Sequence, residues 1–403
     1  MSDAILTINA GSSSCKFEVF HVAGGVPEMT LRGQISGIGT NPVLTAKDDH
    51  GTFMAEQSYD AGTSQSALMR DLLAWIEDHL GGDHLVAAGH RVVHGGRRFF
   101  APVKVDGAVL AELEALVPLA PLHQPHNLSA IRALAEAHPG LPQVACFDTA
   151  FHKDHDDAAS RFALPRELHE SGIRRYGFHG LSYAYVSREL ARLAPEVASG
   201  KVVACHLGSG ASLCAMENGV SVDSTMGFTA LDGLPMGTRC GALDAGVVLH
   251  LMQAHGMDAK GLETLLYKKS GLLGVSGVSN DWRDLELSDK PEARQAMDLF
   301  VHRVVQNIGA LAATLGGLDG LVFTAGIGER SARLRAEVCR RLSWMGVVLC
   351  PSANDRHGPC ITRPHSRVPV WVIPTDEERM IALDTLAVLS PPATTKPSLE
   401  LAS

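Results

Sequence analysis

The chain has 403 residues, a formal net charge of −9, 45% hydrophobic and 20% charged residues. That balance fits a globular chain of two or three domains and leaves no chain-wide basic footprint for nucleic acid. Its 40 glycines, about a tenth of the chain against a usual share of about 7%, are not periodic, which excludes collagen.

No window approaches the roughly 18 apolar residues of a membrane span. No basic leader precedes the apolar run at 5–8, so no secretory signal is expected. The eight cysteines form no CxxC pair. They read as buried thiols in a reducing, cytoplasmic setting.

In chain order, a strand at 5–8 passes through Asn9, Ala10, Gly11 and three serines into a strand at 15–20. There Cys15, Phe17 and Val19 share one face, and Lys16 and Glu18 the other. A helix is predicted at 71–80, with Leu72, Leu73, Ile76 and Leu80 on one side. An apolar run at 85–88 leads into 89–96, followed by a helix at 109–117 stopped by Pro118, a helix at 128–137, and a buried strand at 144–147 ending at Asp148. A second unit begins near 150, with a helix at 181–193, a strand at 201–205, the turn Gly208-Ser209-Gly210 and a strand at 213–216. A strand at 318–324 feeds a glycine turn at 325–329, then a helix at 331–342, a strand at 368–373 and a helix at 377–389. The Pro/Ser/Thr-rich stretch 390–397 reads as a frayed tail. Strands alternating with helices indicate an α/β chain.

Segments 5–13 and 202–212 repeat one pattern: apolar strand, polar residue, small-residue turn, second strand. They lie about half a chain apart. Two readings stand: duplicated domains that offer both turns to one cleft, or two unrelated hairpins.

Glycine turns can present backbone N–H groups to phosphate, or can simply be structural. A Walker motif is absent, and no strand–GxGxxG–helix unit carries the required acidic residue, which argues against P-loop and nicotinamide folds. Asn9, Asp148 and Glu377 stand at element ends, as oxygen donors around a Mg2+ polyphosphate or as caps. Arg91 and Arg239 sit among small residues, suited to a carboxylate, a phosphoryl group or an interface ion pair. His179 could donate to a phosphoryl oxygen. His90, His94, His123, His126, His152, His155 and His206 are scattered without a cysteine partner, so structural zinc is not expected.

Taken together, ten segments resemble the acetate kinase family, within the superfamily of sugar kinases, heat-shock chaperones and actin. They are 9–16 (NAGSSSCK), 89–96 (GHRVVHGG), 119–127 (LAPLHQPHN), 147–152 (FDTAFH), 175–180 (RYGFHG), 206–212 (HLGSGAS), 234–241 (LPMGTRCG), 277–285 (GVSNDWRDL), 323–330 (FTAGIGER) and 374–378 (PTDEE). They span nearly the whole chain in the family's order.

The resemblance implies reversible transfer of the ATP γ-phosphoryl group to acetate, without nucleic-acid or membrane partners, in a homodimer. It implies duplicated actin-like, RNase H-like α/β domains with the active-site cleft between them: 1–150, 151–378, and a return helix with a flexible tail at 379–403. Carried over by residue, Arg91 binds the substrate carboxylate. Asn9, Asp148 and Glu377 surround Mg2+, for which Mn2+ can substitute. His179 and Arg239 stabilise the transition state, with Asp148 and Arg91 counted among the catalytic groups and His123 in a supporting role. Val93, Leu122, Phe178 and Pro235 wall a small methyl pocket. Ser12, Ser14 and Lys16 form the first phosphate turn. His206, Leu207, Gly208, Ser209, Gly210, Asp281, Trp282, Arg283, Gly326, Ile327, Gly328, Glu329 and Arg330 form the nucleotide segments. Ser209, Trp282 and Tyr183 stand where the family usually has Asn, Phe and His.

Acetate is already ionised at neutral pH and is its own nucleophile, so the main obstacle is charge repulsion against the γ-phosphate. Direct in-line transfer is the favoured mechanism. A propionate kinase is the alternative, since one methylene is worth only about 1–3 kcal/mol of discrimination. A remote alternative is a non-enzymatic actin-like filament or chaperone ATPase.

Overall fold

The computed structural model describes residues 3–11 and 13–389. The predicted tail at 390–397 and Ser12 lie outside the described residues. Two compact units form, each around its own sheet.

The first unit comprises the described residues within Met1–Val93, Ala101–Phe147 and Glu378–Ser403. Its strands are β1 (Asp3–Ala10), β2 (Ser14–Ala23), β3 (Val26–Ser36), β4 (Val43–Asp48), β5 (Phe53–Ser58), β6 (His84–Val92), β7 (Val103–Lys104) and β8 (Gln143–Phe147). Their order is β5-β4-β3-β2-β1-β6-β8-β7. The β1–β2 hairpin is antiparallel, with Asn9 opposite Lys16 and Ala10 opposite Cys15. Strands β6 and β8 run parallel to β1.

The alternation in β2 decides its faces. Cys15, Phe17 and Val19 join Leu6, Ile8 and the apolar stripes of the helices Gln65–His79 and Gln124–Ala137 in one core. On the opposite face Ile5 and Phe20 pack against Ala382 and Leu386 of the helix Glu377–Leu389. Gly89, in the middle of β6, permits that approach: a Cβ there would collide with Thr385 and Ile381.

Helix starts differ from the sequence pattern for local reasons. The first helix begins at Gln65, because Ser64 accepts a hydrogen bond from the Ala67 amide. The helix expected at 128–137 starts at Gln124, since Pro125 in a first turn has no amide to waste.

The second unit comprises His94–Phe100 and Asp148–Glu377. Residues 94–100 group with the later residues, not with the rest of 1–150. Its strands are β9 (Lys201–Leu207), β10 (Ala211–Glu217), β11 (Val220–Ser224), β12 (Gly320–Thr324) and β13 (Val370–Val372), in the order β11-β10-β9-β12-β13. β9 and β10 form an antiparallel hairpin, and β12 and β13 run parallel to β9. This order and sense match β3-β2-β1-β6-β8 in the first unit.

A 25-residue helix, Pro291–Leu315, ends at Gly316 in the left-handed region (φ 68°). The segment predicted as a third glycine turn is a correction. It forms the short helix Ala325–Arg330 directly after β12. Among the described residues no helix is long and apolar enough to cross a membrane.

Candidate active site

In the first unit the site-bearing residues lie at strand ends. Arg91, near the end of β6, donates from Nη1 to Asn9 Oδ1 at 3.2 Å. Asn9 Nδ2 in turn reaches Glu378 Oε1 at 3.5 Å. The acid touching Asn9 is thus Glu378, the neighbour of the predicted Glu377. Val93 is buried, while Leu122 and His123 are half-buried just before the helix Gln124–Ala137. The turn after β1 closes through the Gly11 amide on the Ser14 carbonyl at 2.8 Å. Lys16 is exposed, and with Glu378 it lines a hollow of about 510 Å3 on the sheet.

Asn127 went unrecognised as a functional residue in the sequence. Its Oδ1 accepts from the Val93 amide at 3.1 Å and its Nδ2 donates to the Ala10 carbonyl at 2.8 Å. One buried amide therefore ties the ends of β1 and β6 to the helix that follows His123. A polar Asn on the buried stripe of a helix is the only sequence signal for this role.

In the second unit, Asp148 directly follows β8 and is buried, and its carbonyl accepts the Gly180 amide at 2.8 Å. His179 adopts a left-handed backbone (φ 59°) just before the helix Gly180–Leu193. Such a conformation is costly outside glycine and needs support. His152 supplies it: Nε2 donates to the Phe178 carbonyl at 2.9 Å and Nδ1 accepts from Ser221 Oγ at 2.8 Å. Burial pushes the His152 imidazole down to about 4, so it stays neutral. Phe178 is buried edge-on to His94, with ring centres 5.7 Å apart.

The His179 ring lies against the β9–β10 turn. A Cβ added to Gly210 would sit 3.1 Å from His179 Nε2. His179 stacks on His206 with ring centres 4.1 Å apart. Its Nδ1 is 2.8 Å from Ser212 Oγ, which is 2.6 Å from the hydroxyl of the fully buried Tyr183. His206 Nδ1 bonds Ser182 Oγ at 2.8 Å, which also accepts from Thr375 Oγ1. Leu207 is buried beneath the turn. Arg239 is half-buried, with Nη1 on the Ala230 carbonyl at 3.0 Å, and Pro235 is buried in the same loop.

A cavity of about 430 Å3 is lined by parts of the segments predicted for nucleotide: Gly208 and Ser209, Asn280 to Arg283, Glu286, then Gly326, Ile327, Arg330 and Ser331. Gly210, Gly328, Glu329, His206 and Leu207 lie outside its lining. Glu329 instead accepts from the Thr375 amide at 3.0 Å. The fully buried Arg335 donates to the Gly328 and Glu329 carbonyls at 2.8 and 2.7 Å, pinning the end of that loop helix. Trp282 is buried against Phe300. Glu377 is half-buried at the start of the last helix.

Among the described residues no group of three or more His, Cys, Asp or Glu side chains is placed to hold a metal ion. Mg2+ keeps several waters and takes one or two carboxylates plus substrate phosphates, so no all-protein cage is needed. Hard carboxylate oxygens such as those of Asp148 or of Glu377 have the donor chemistry for that mode.

Fold and site together define an α/β protein with two sheet-bearing units, one holding an arginine–amide pair and the other a glycine-lined cavity. The profile of the acetokinase family matches residues 4–383, and the chain belongs to that family. It is 52% identical over 390 residues to an acetate kinase of Nitrobacter hamburgensis, covering 96% of each chain. Among solved structures it is similar to an acetate kinase of Porphyromonas gingivalis, at 37% identity and TM-score 0.88, covering 96% of this chain and 100% of that one. A propionate kinase of Francisella tularensis is similar at 34% identity and TM-score 0.89, covering 95% and 99%.

Proposed function

We propose that the chain catalyses the reversible reaction of ATP with acetate to give acetyl phosphate and ADP. The observation that carries this reading is the match of nearly the whole chain, residues 4–383, to the acetokinase family.

Roles divide by unit. Arg91, oriented by Asn9, clamps the acetate carboxylate, and Val93 and Leu122 limit the space for its methyl group. His123 supports that loop. Ser12, Ser14, Lys16, the Gly208–Gly210 turn and the short-helix segment Gly326–Arg330 serve the phosphates. His206, Leu207, Asp281, Trp282 and Arg283 shape the nucleotide segments, while Phe178 and Pro235 belong with the walls of the methyl pocket. Asp148, Glu377 and Asn9 would supply the oxygen donors for Mg2+ or Mn2+, directly or through water, and the ion would supply charge neutralisation on the phosphates. An acetate oxygen attacks the γ-phosphorus in line as the bond to ADP breaks, and no proton need move. Arg239 and His179 offset charge on the equatorial oxygens.

The hydrogen bonds around His179 set its tautomer. Burial pushes the Tyr183 phenol well above its ordinary range, so it stays protonated and able to donate. With Tyr183 donating to Ser212 and Ser212 to His179 Nδ1, the imidazole proton would sit on Nε2 beside Gly210. That leaves an N–H donor on the turn side, where a phosphoryl oxygen needs one.

The shared five-strand order supports reading the units as duplicated actin-like, RNase H-like domains. The helix Ala245–His255 is apolar yet has no buried residue, with Leu249 55% and Met252 46% exposed, which supports a homodimer docked there. All eight cysteines are free thiols, which supports a cytoplasmic setting. The similarity to a propionate kinase keeps propionate as a second substrate.

Hydroxylamine trapping with ATP and Mg2+ tests the reading across acetate, propionate and butyrate. Acetate is expected to give the most acyl hydroxamate, and no product from any acid would sink the proposal.

A further inference from the structure

Glu286 stands on the wall of the nucleotide cavity without a role in phosphate chemistry. Its neighbour Asp281 is already engaged. Asp281 caps the helix Trp282–Leu287 through the Arg283 amide at 2.8 Å and pairs with the Arg283 guanidinium at 2.6 Å. Glu286 is held differently. Its Oε1 accepts from Trp282 Nε1 at 2.7 Å and from Ser331 Oγ at 2.5 Å. Trp282 is itself fixed by burial, and its Nε1 also lies 3.1 Å from Ser331 Oγ. Ser331 is fixed as the cap of the helix Ala332–Arg341, accepting from the Leu334 amide.

We infer that Glu286 is a specificity-determining residue of this cavity, its carboxylate accepting a hydrogen bond from the nucleoside part of the bound triphosphate. The inference rests on the reading that the cavity takes ATP. Both protein donors converge on Oε1, which leaves Oε2 as the acceptor for a ligand. A carboxylate cannot serve the polyphosphate, because two anions in contact repel. The phosphates therefore belong at the glycine end, where nothing lies within 4 Å of a Cβ built on Gly326. Glu286 then marks the nucleoside end. The matching chemistry is a donor, either a ribose hydroxyl or an exocyclic amine of the base. Trp282 is a positioning residue, since its indole N–H aims Glu286. A site built to accept a hydrogen bond rejects the analogue lacking the donor more strongly than an apolar pocket rejects an extra methylene.

The test is displacement of a fluorescent ATP analogue, with KM values for nucleotide and acetate, in wild type, Glu286→Ala, Glu286→Gln and Trp282→Phe. The competing ligands are ATP, 2′-deoxy-ATP, 3′-deoxy-ATP and ITP. In wild type, one analogue lacking a donor is expected to bind about tenfold more weakly than ATP, a deoxy form for a ribose contact or ITP for a base contact. Glu286→Ala is expected to weaken ATP about tenfold and to erase that discrimination, with the acetate KM unchanged. Glu286→Gln keeps an acceptor and stays within a few-fold of wild type. Trp282→Phe falls between, and adds nothing when combined with Glu286→Ala. A folded Glu286→Ala enzyme with an unchanged analogue profile overturns this inference alone. Wild type that binds no nucleotide overturns the ATP reading of the cavity as well.

Discussion

The two hairpin turns make the most instructive comparison in the molecule. Each follows a strand with one polar residue next to its end, Asn9 in β1 and His206 in β9, and each closes through a glycine amide, Gly11 on Ser14 and Gly208 on Gly210. The strand order around them is the same. Their surroundings are not. Asn9 sits between a cation and an anion, Arg91 and Glu378. His206 sits among hydroxyls and a second imidazole, Ser182, Thr375 and His179. One frame thus carries an amide hub between a guanidinium and a carboxylate, and another hub of hydroxyls and imidazoles. Backbone topology supplies the turn, and side chains at the strand end supply the chemistry.

The largest effect that would break this contrast is at the second hub. His179→Ala is expected to lower kcat about 100- to 1,000-fold with little change in the acetate KM, the loss typical of a donor to developing charge. A change in acetate KM alone would move His179 to the first hub's task. Arg91→Ala is expected to raise the acetate KM about 10- to 100-fold, as lost charge-assisted bonds to a carboxylate would, with the ATP KM nearly unchanged. An ATP effect of equal size would falsify the division between hubs.

Tyr183→Phe sharpens the comparison further. It removes the hydroxyl bonded to Ser212, so kcat is expected to fall several-fold up to about tenfold while both KM values hold. Tyr183→His would show whether another donor restores it. Loss confined to thermal stability would make the relay structural only.

The smallest effect is in pH. Burial pushes His90, His94 and His152 down to about 4 and His155 to about 3. Unfolded imidazole titrates near 6.5, so between pH ~6.5 and ~4 the unfolded chain binds more protons. Their contribution is fully present above pH ~6.5 and is lost as pH falls toward 4. Tm scans should decline through that window, and His152→Gln should show a shallower decline. A flat Tm across it would contradict the neutral buried state of these histidines.

Periodicity made the β1–β2 hairpin legible, because Cys15, Phe17 and Val19 must share one buried face. It missed β3 to β5: β3 contains Pro27 and Gly33, both poor strand formers, and Phe53–Ser58 has exposed Phe53 and Met54 and no fully buried residue, so no buried face marks it. The segment 325–329 read as an open turn, since two glycines lower helix propensity. Packing overrode that: Ala325 and Gly328 are buried and Arg335 holds the carbonyl end.

Residue types and spacing alone determined the α/β class, the paired strand–turn–strand segments and the set of groups able to handle a carboxylate and a polyphosphate. These depend on local propensity and side-chain chemistry, which are written in order along the chain. Tertiary structure decided the partners: Asn127 bridging Ala10 and Val93, Tyr183 and Ser212 acting on His179, and Trp282 aiming Glu286. The hydrogen bonds from Asn127 to Ala10 and from Ser212 to His179 and Tyr183 join residues about 30 or more positions apart. The Trp282–Glu286 bond is one helical turn, and only burial of the indole and the distant Ser331 make it count. In both cases the fold fixes where a polar group points, because a buried donor or acceptor must find a partner.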